Sequence, residues 1–115
     1  MKPFEPPTTG LARRILGEVD FPDRLVGHRM RERMGPIPVS LYSFEEVVLF
    51  LGDGFPQMDL ADLRAWVGEK VGDRDLALAI EEIGRKEMDE PEKLLVIRGL
   101  MAARLAQSRR IARLP

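Results

Sequence analysis

At 115 residues, with 44% apolar and 32% charged side chains, the chain has the composition of a single soluble globular domain. It is too apolar for disorder and long enough to bury about two-thirds of its unfolded surface without a staple. The lack of cysteine excludes disulfides, thiolate metal sites and cysteine nucleophiles, and one histidine, His28, leaves no histidine-rich metal cluster. The net charge of −1 conceals three blocks: +2 over residues 1–34, −9 over residues 35–92 and +6 over residues 93–115. Such blocks can neutralise one another within a fold or across a dimer, so they are a weak argument for nucleic acid.

The first ten residues contain Lys2-Pro3-Phe4-Glu5-Pro6-Pro7. Proline at this density favours extended backbone, read here as a mobile arm (residues 1–10) ahead of a single helical domain (residues 11–115). No apolar run follows the lone lysine, so no secretory signal is expected and the cytoplasm is the default compartment. Thr8 or Thr9 can cap a first helix through Glu18, with Leu11, Ile15 and either Leu16 or Val19 facing inward.

Asp20-Phe21-Pro22 interrupts the chain, and Pro22 suits the first turn of a second helix extending to Met34, before Gly35-Pro36. Val26, Met30 and Met34 repeat every fourth position as its inner stripe, while Arg24, His28 and Arg31 form a row on its other side. That row is the best anion-binding candidate in the chain, since two permanent cations around an imidazole suit a phosphate or carboxylate. The alternative is a solvated basic face. Residues 36–42 alternate apolar side chains at Ile37, Val39 and Leu41, but Pro36 and Pro38 cannot donate to a ladder and no partner strand is evident. They read as an extended connector; if it pairs at all, its simplest partner is its own copy in a dimer.

The stretch at residues 43–51 organises the rest. Ser43 and Glu46 form a capping box, and Val47, Val48, Leu49, Phe50 and Leu51 follow without a polar break. A helix apolar around most of its circumference needs neighbours on nearly all sides, and this run is far too short to span a bilayer, which takes about 20 residues. Gly52 can close the helix in a left-handed conformation before Asp53-Gly54-Phe55-Pro56.

Asp59 caps the next helix, whose inner face is Leu60, Leu63, Val67 and Val71 with Trp66 beside it. Five of the seven aromatic residues, Phe55 among them, fall between positions 42 and 66 and are expected in the core. After Gly72-Asp73 a further helix buries Leu76, Ala79, Ile80 and Ile83, with Leu78 opposite. As a DNA-binding helix-turn-helix this pair fails: Asp73 and Glu81 fall where that motif packs apolar side chains, and an acidic reading helix would be repelled by phosphate. Pro91 opens a long last helix from about residue 90 to near residue 114, with Leu94, Ile97, Leu100, Met101, Leu105, Ser108, Ile111 and Ala112 on its inner arc. Arg104 projects from the middle of that arc, so it must reach water, meet a buried carboxylate or serve a partner. The basic end, with Arg109 and Arg110, is expected to extend beyond the body.

The reading that follows is an all-α domain: a compact bundle of five or six short helices around the helix at residues 43–51, with an extended connector at residues 36–42. Adjacent carboxylates at Glu45-Glu46 and Glu81-Glu82 point different ways on a helix, and no glycine loop, metal set or catalytic group is apparent. No cofactor or metal is implied. The expected function is a non-catalytic interaction or regulatory module for a protein partner, including a homodimer through the last helix or the connector. One alternative is nucleic-acid binding through the basic last helix and the Arg24/His28/Arg31 face. A second is an enzyme or binder of an anionic small molecule. The candidate contact residues are Arg24, His28, Arg31, Arg104, Arg109 and Arg110.

Overall fold

A computed structural model describes residues 5–53 and 55–113. Five α-helices accompany a three-stranded antiparallel sheet, so the all-α bundle expected from the sequence is wrong. The helices are α1 (Thr9–Leu16), α2 (Phe44–Leu51), α3 (Leu60–Ala65), α4 (Arg74–Gly84) and α5 (Glu90–Arg113). The strands are β1 (Leu25–Arg31), β2 (Gly35–Leu41) and β3 (Pro56–Gln57), in the order β2-β1-β3.

The error lies in residues 25–41. Val26 and Met30 are four apart, and four is an even number, so the spacing that marks one face of a helix also places both residues on one face of a strand. The structure takes the second option: Leu25 and Gly27 are buried toward the core while His28 and Met30 are exposed on the other face. Met34 lies in the hairpin turn, where its amide donates to the Arg31 carbonyl at 3.1 Å. Gly35 follows with φ +70°, the left-handed residue that lets a three-residue hairpin loop rejoin its strand.

The connector at residues 36–42 is thus largely β2, and its partner is β1, with His28 opposite Pro38 and Met30 opposite Pro36. Backbone groups of alternate residues on a strand point to opposite sides, and prolines can lack donors only on the unpaired side. Residues 35, 37, 39 and 41 therefore carry the ladder. The free edge of β2 offers Pro36, Pro38 and Ser40, of which only Ser40 has an amide hydrogen, which blunts the edge against pairing with a second copy.

Gly27 is where sheet and helix touch. A Cβ there would lie 2.7 Å from the Phe50 ring and 3.0 Å from the Met58 methyl, so the strand backbone packs directly on α2. Beside it, the Arg29 guanidinium lies 5.1 Å from the centre of the same ring.

Local helix starts are set by side chains within a few residues. Thr8 Oγ1 accepts from the Leu11 amide, Ser43 Oγ from the Glu46 amide, and Asp59 Oδ1 from the Asp62 amide, each near 3 Å. Glu46 reaches back one residue further than a capping box requires and accepts from the Tyr42 amide at 2.8 Å. Phe44, Val47, Val48, Phe50 and Leu51 are buried, and Leu49 alone of the run faces outward. Gly52 has φ −96°, not the left-handed conformation expected; it is small because the Arg98 guanidinium lies across it. The left-handed helix end falls instead at Gly72, φ +87°, after a π-helical turn over residues Trp66–Val71.

The five helices and the sheet share one core, running from Ile15 and Leu25 through α2 to Ile83, Met101 and Leu105. α5 packs against α1, α2 and α4. It runs antiparallel to α2, pairing Arg109 with Glu45 at 3.0 Å near one end and covering Gly52 with Arg98 near the other. Ser108 is fully buried, so the body covers α5 almost to its last turn. Residues 1–4 of the proposed arm lie outside the described residues. Of the remainder, Pro7 is buried and the Glu5 carbonyl accepts from Arg104.

Candidate functional site

The six candidate contact residues are not gathered into one site. Arg104 is 2% exposed and forms a bidentate pair with Asp73, with Nε 2.7 Å from Oδ2 and Nη2 3.2 Å from Oδ1. Arg109 is paired with Glu45, and Arg110 is exposed in the last turns of α5. Arg24, His28 and Arg31 do not form a row, because the segment is a strand: His28 shares its face with Val26 and Met30, while Arg31 has the opposite parity and stands beside the hairpin turn. Arg24 lies 3.9 Å over the Phe21 ring and donates to the Phe21 carbonyl and to Ser40 Oγ. Among the described residues no group of three or more His, Asp or Glu side chains could hold a metal ion, and no helix is long and apolar enough to cross a membrane.

A different region has the shape of a site. After α2 the chain passes through Phe55 into β3, where pairing with β1 fixes Pro56 and Gln57 opposite Arg29 and His28. Met58 is then buried and Asp59 starts α3. This segment stands apart from the first turns of α5 and leaves a groove of about 540 Å³ between them. One wall is Leu51, Phe55, Pro56 and Met58; the other is Pro91, Leu94 and Leu95. Among the described lining residues, Gln57 and Glu90 are the ones whose side chains carry strong hydrogen-bonding groups.

The α5 wall is held by Lys93, a residue only 8% exposed. Its ammonium donates to the Gly84 carbonyl at the end of α4, at 2.9 Å, and lies 3.7 Å from Glu90 Oε1. A cation at a helix C-terminus is favourable on dipole grounds, so Lys93 docks α4 against α5 and positions Glu90 at the groove rim.

Phe55 is 82% exposed and Leu95 61% exposed, both at the mouth. The sequence reading missed both. It assigned Phe55 to the core because of its aromatic neighbours, and the structure puts it at the surface instead. Leu95 and the adjacent Val96 lie outside the inner arc of α5, and two large apolar residues there were the available signal. Chemically the groove offers apolar surface and one carboxylate. The Glu90 carboxylate, 3.7 Å from the Lys93 ammonium, can orient a bound cation.

No protein-family model, curated protein or solved structure matches this chain.

Proposed function

We propose that the protein is a non-catalytic interaction module, and that its groove between Leu51–Met58 and the start of α5 receives an apolar anchor from a protein segment flanked by basic residues. The observation that carries this reading is the exposed Phe55 ring at the lip of an apolar groove of about 540 Å³. Specific binding sites are concave, mostly apolar, and carry few polar groups, and hot spots of protein interfaces are rich in aromatic anchors. Charge biases the partner: Glu90 lines the groove 3.7 Å from Lys93, Glu92 follows it on α5, and the Asp53 carboxylate, 3.5 Å from Arg29, is 79% exposed. An acidic partner would meet repulsion at this rim.

Titration of the isotope-labelled protein with an 18-residue amphipathic helical peptide of leucine and lysine tests the reading. Amide shifts are expected at residues 51–58 and 90–95. The same peptide with glutamate in place of lysine is expected to bind at least about tenfold more weakly, and Phe55→Asp to abolish the shifts with the fold unchanged. Shifts elsewhere only, or equal binding of both peptides, would sink the proposal.

A further inference from the structure

The outward face of α5 carries a second set of features, which meets the groove only at Glu92 and Leu95. Glu92, Val96, Gly99, Ala103, Ala106 and Arg110 are all exposed, and their alternating spacing of four and three residues keeps them in one line along the helix. Leu95 flanks this line at 61% exposure, and Val96 is 37% exposed. Leu95 already walls the groove, so Val96 is the large apolar side chain on this line that the groove leaves uncovered.

The charges at the ends of the line suggest what covers it. Glu92 stands at its start and Arg110 five turns later, and neither has an ion-pair partner among the described residues. Two such helices laid antiparallel about a twofold axis bring Glu92 opposite the partner's Arg110 at both ends. In the same register Val96 meets the partner's Ala106 and Gly99 meets the partner's Ala103. The surface is therefore complementary to itself in charge and in size, as a twofold interface requires. Gly99 fits this arrangement, and nothing among the described residues accounts for it: a Cβ there would meet none of their atoms within 4 Å. A glycine inside a helix is unfavourable unless something must come close to the backbone.

We infer that the outward face of α5 is a self-association surface, on which a second copy of this chain pairs its own α5 antiparallel, Glu92 against Arg110. The contact is a narrow one. A strip about 27 Å long and one helix wide removes on the order of 700 Å² from water in total, well under the area of a stable dimer. The dimer is accordingly weak, with a dissociation constant on the order of 100 µM, in the range of transient complexes. The donor-poor edge of β2 leaves α5 as the better of the two dimer surfaces weighed from the sequence.

Sedimentation equilibrium from about 10 µM to 1 mM is expected to show the mass rising toward twice that of the chain. Glu92→Arg and Arg110→Glu each place like charges at both ends of the contact, and each alone is expected to weaken association by at least about tenfold. Mixed in equal amounts, the two variants restore both opposite-charge contacts and are expected to associate again. Both positions are exposed, so circular dichroism should show each variant folded as the parent is. A parent chain that stays monomeric to 1 mM, single variants that associate like the parent, or a mixture that fails to recover would each overturn the inference.

Discussion

Arg104 and Asp73, 31 positions apart, form a buried pair in which the guanidinium meets both carboxylate oxygens, at 2.7 and 3.2 Å. The pair ties three segments together. Asp73 Oδ1 also accepts from the Leu76 amide to start α4, and Arg104 Nη1 donates to the Glu5 carbonyl and to Gln107. No buried side-chain polar atom among the described residues lacks a partner.

Removing one member strands the other. Arg104→Met is expected to destabilise the fold by about 3–5 kcal/mol, because it leaves an uncompensated carboxylate in the interior. Asp73→Asn keeps a capping oxygen but strands the arginine, with a cost of similar order. The double variant is expected to cost clearly less than the two single costs added together, since neither charge then remains. Urea unfolding of the three variants measures this, and strict additivity would mean that the two side chains do not interact.

Gly27 and Gly52 both leave no room for a Cβ, but they should respond differently to alanine. At Gly27 the obstruction is the Phe50 ring, fixed in the core at 2% exposure, so Gly27→Ala is expected to cost about 1–3 kcal/mol. At Gly52 the obstruction is the end of the exposed Arg98 side chain, which can swing into water, so Gly52→Ala is expected to cost under about 1 kcal/mol. Thermal unfolding should rank them in that order, and a neutral Gly27→Ala would show that the strand does not rest on α2.

Gly35 and Gly72 are the two residues with positive φ among those described, at +70° and +87°. Alanine at either is expected to lose about 1–2 kcal/mol to left-handed strain, with asparagine milder than alanine. Gly72 should suffer more, because a Cβ there also comes within 3.2 Å of Arg14, whose Nε bonds the Val71 carbonyl. Asparagine variants as unstable as the alanine variants would contradict this account.

Pro36 and Pro38 keep donors off the outer edge of β2. Replacing both by threonine supplies two outward amide hydrogens without removing any ladder bond, so the monomer fold should survive while the protein becomes prone to edge-to-edge association. Light scattering at matched concentration tests this. An unchanged association state would indicate that something else covers that edge.

Three residues show how far the sequence was legible. Ser43 was readable because its hydroxyl and the Glu46 amide lie within one turn. Arg104 was half readable: its place on an apolar arc demanded a partner, but no feature of the sequence singled out Asp73 from the other carboxylates. His28 was misread, because an even spacing fits both helix and strand and the prolines of β2 concealed its neighbour. The groove was not legible at all, for Phe55 is as apolar as any core residue and only the path of the chain leaves it outside.

Taken alone, the residue order settled much of what is decided within one helical turn: the caps at Ser43 and Asp59, the choice of Thr8 or Thr9 for the first, and most of the inner faces of α4 and α5. The pairing of β1 with β2, the match of Arg104 to Asp73 and the gap beside Phe55 were decided by tertiary structure. Hydrogen bonds that close over three or four residues depend on local identity, whereas strand partners, buried ion pairs and uncovered surface depend on which distant segments the collapsing core brings together.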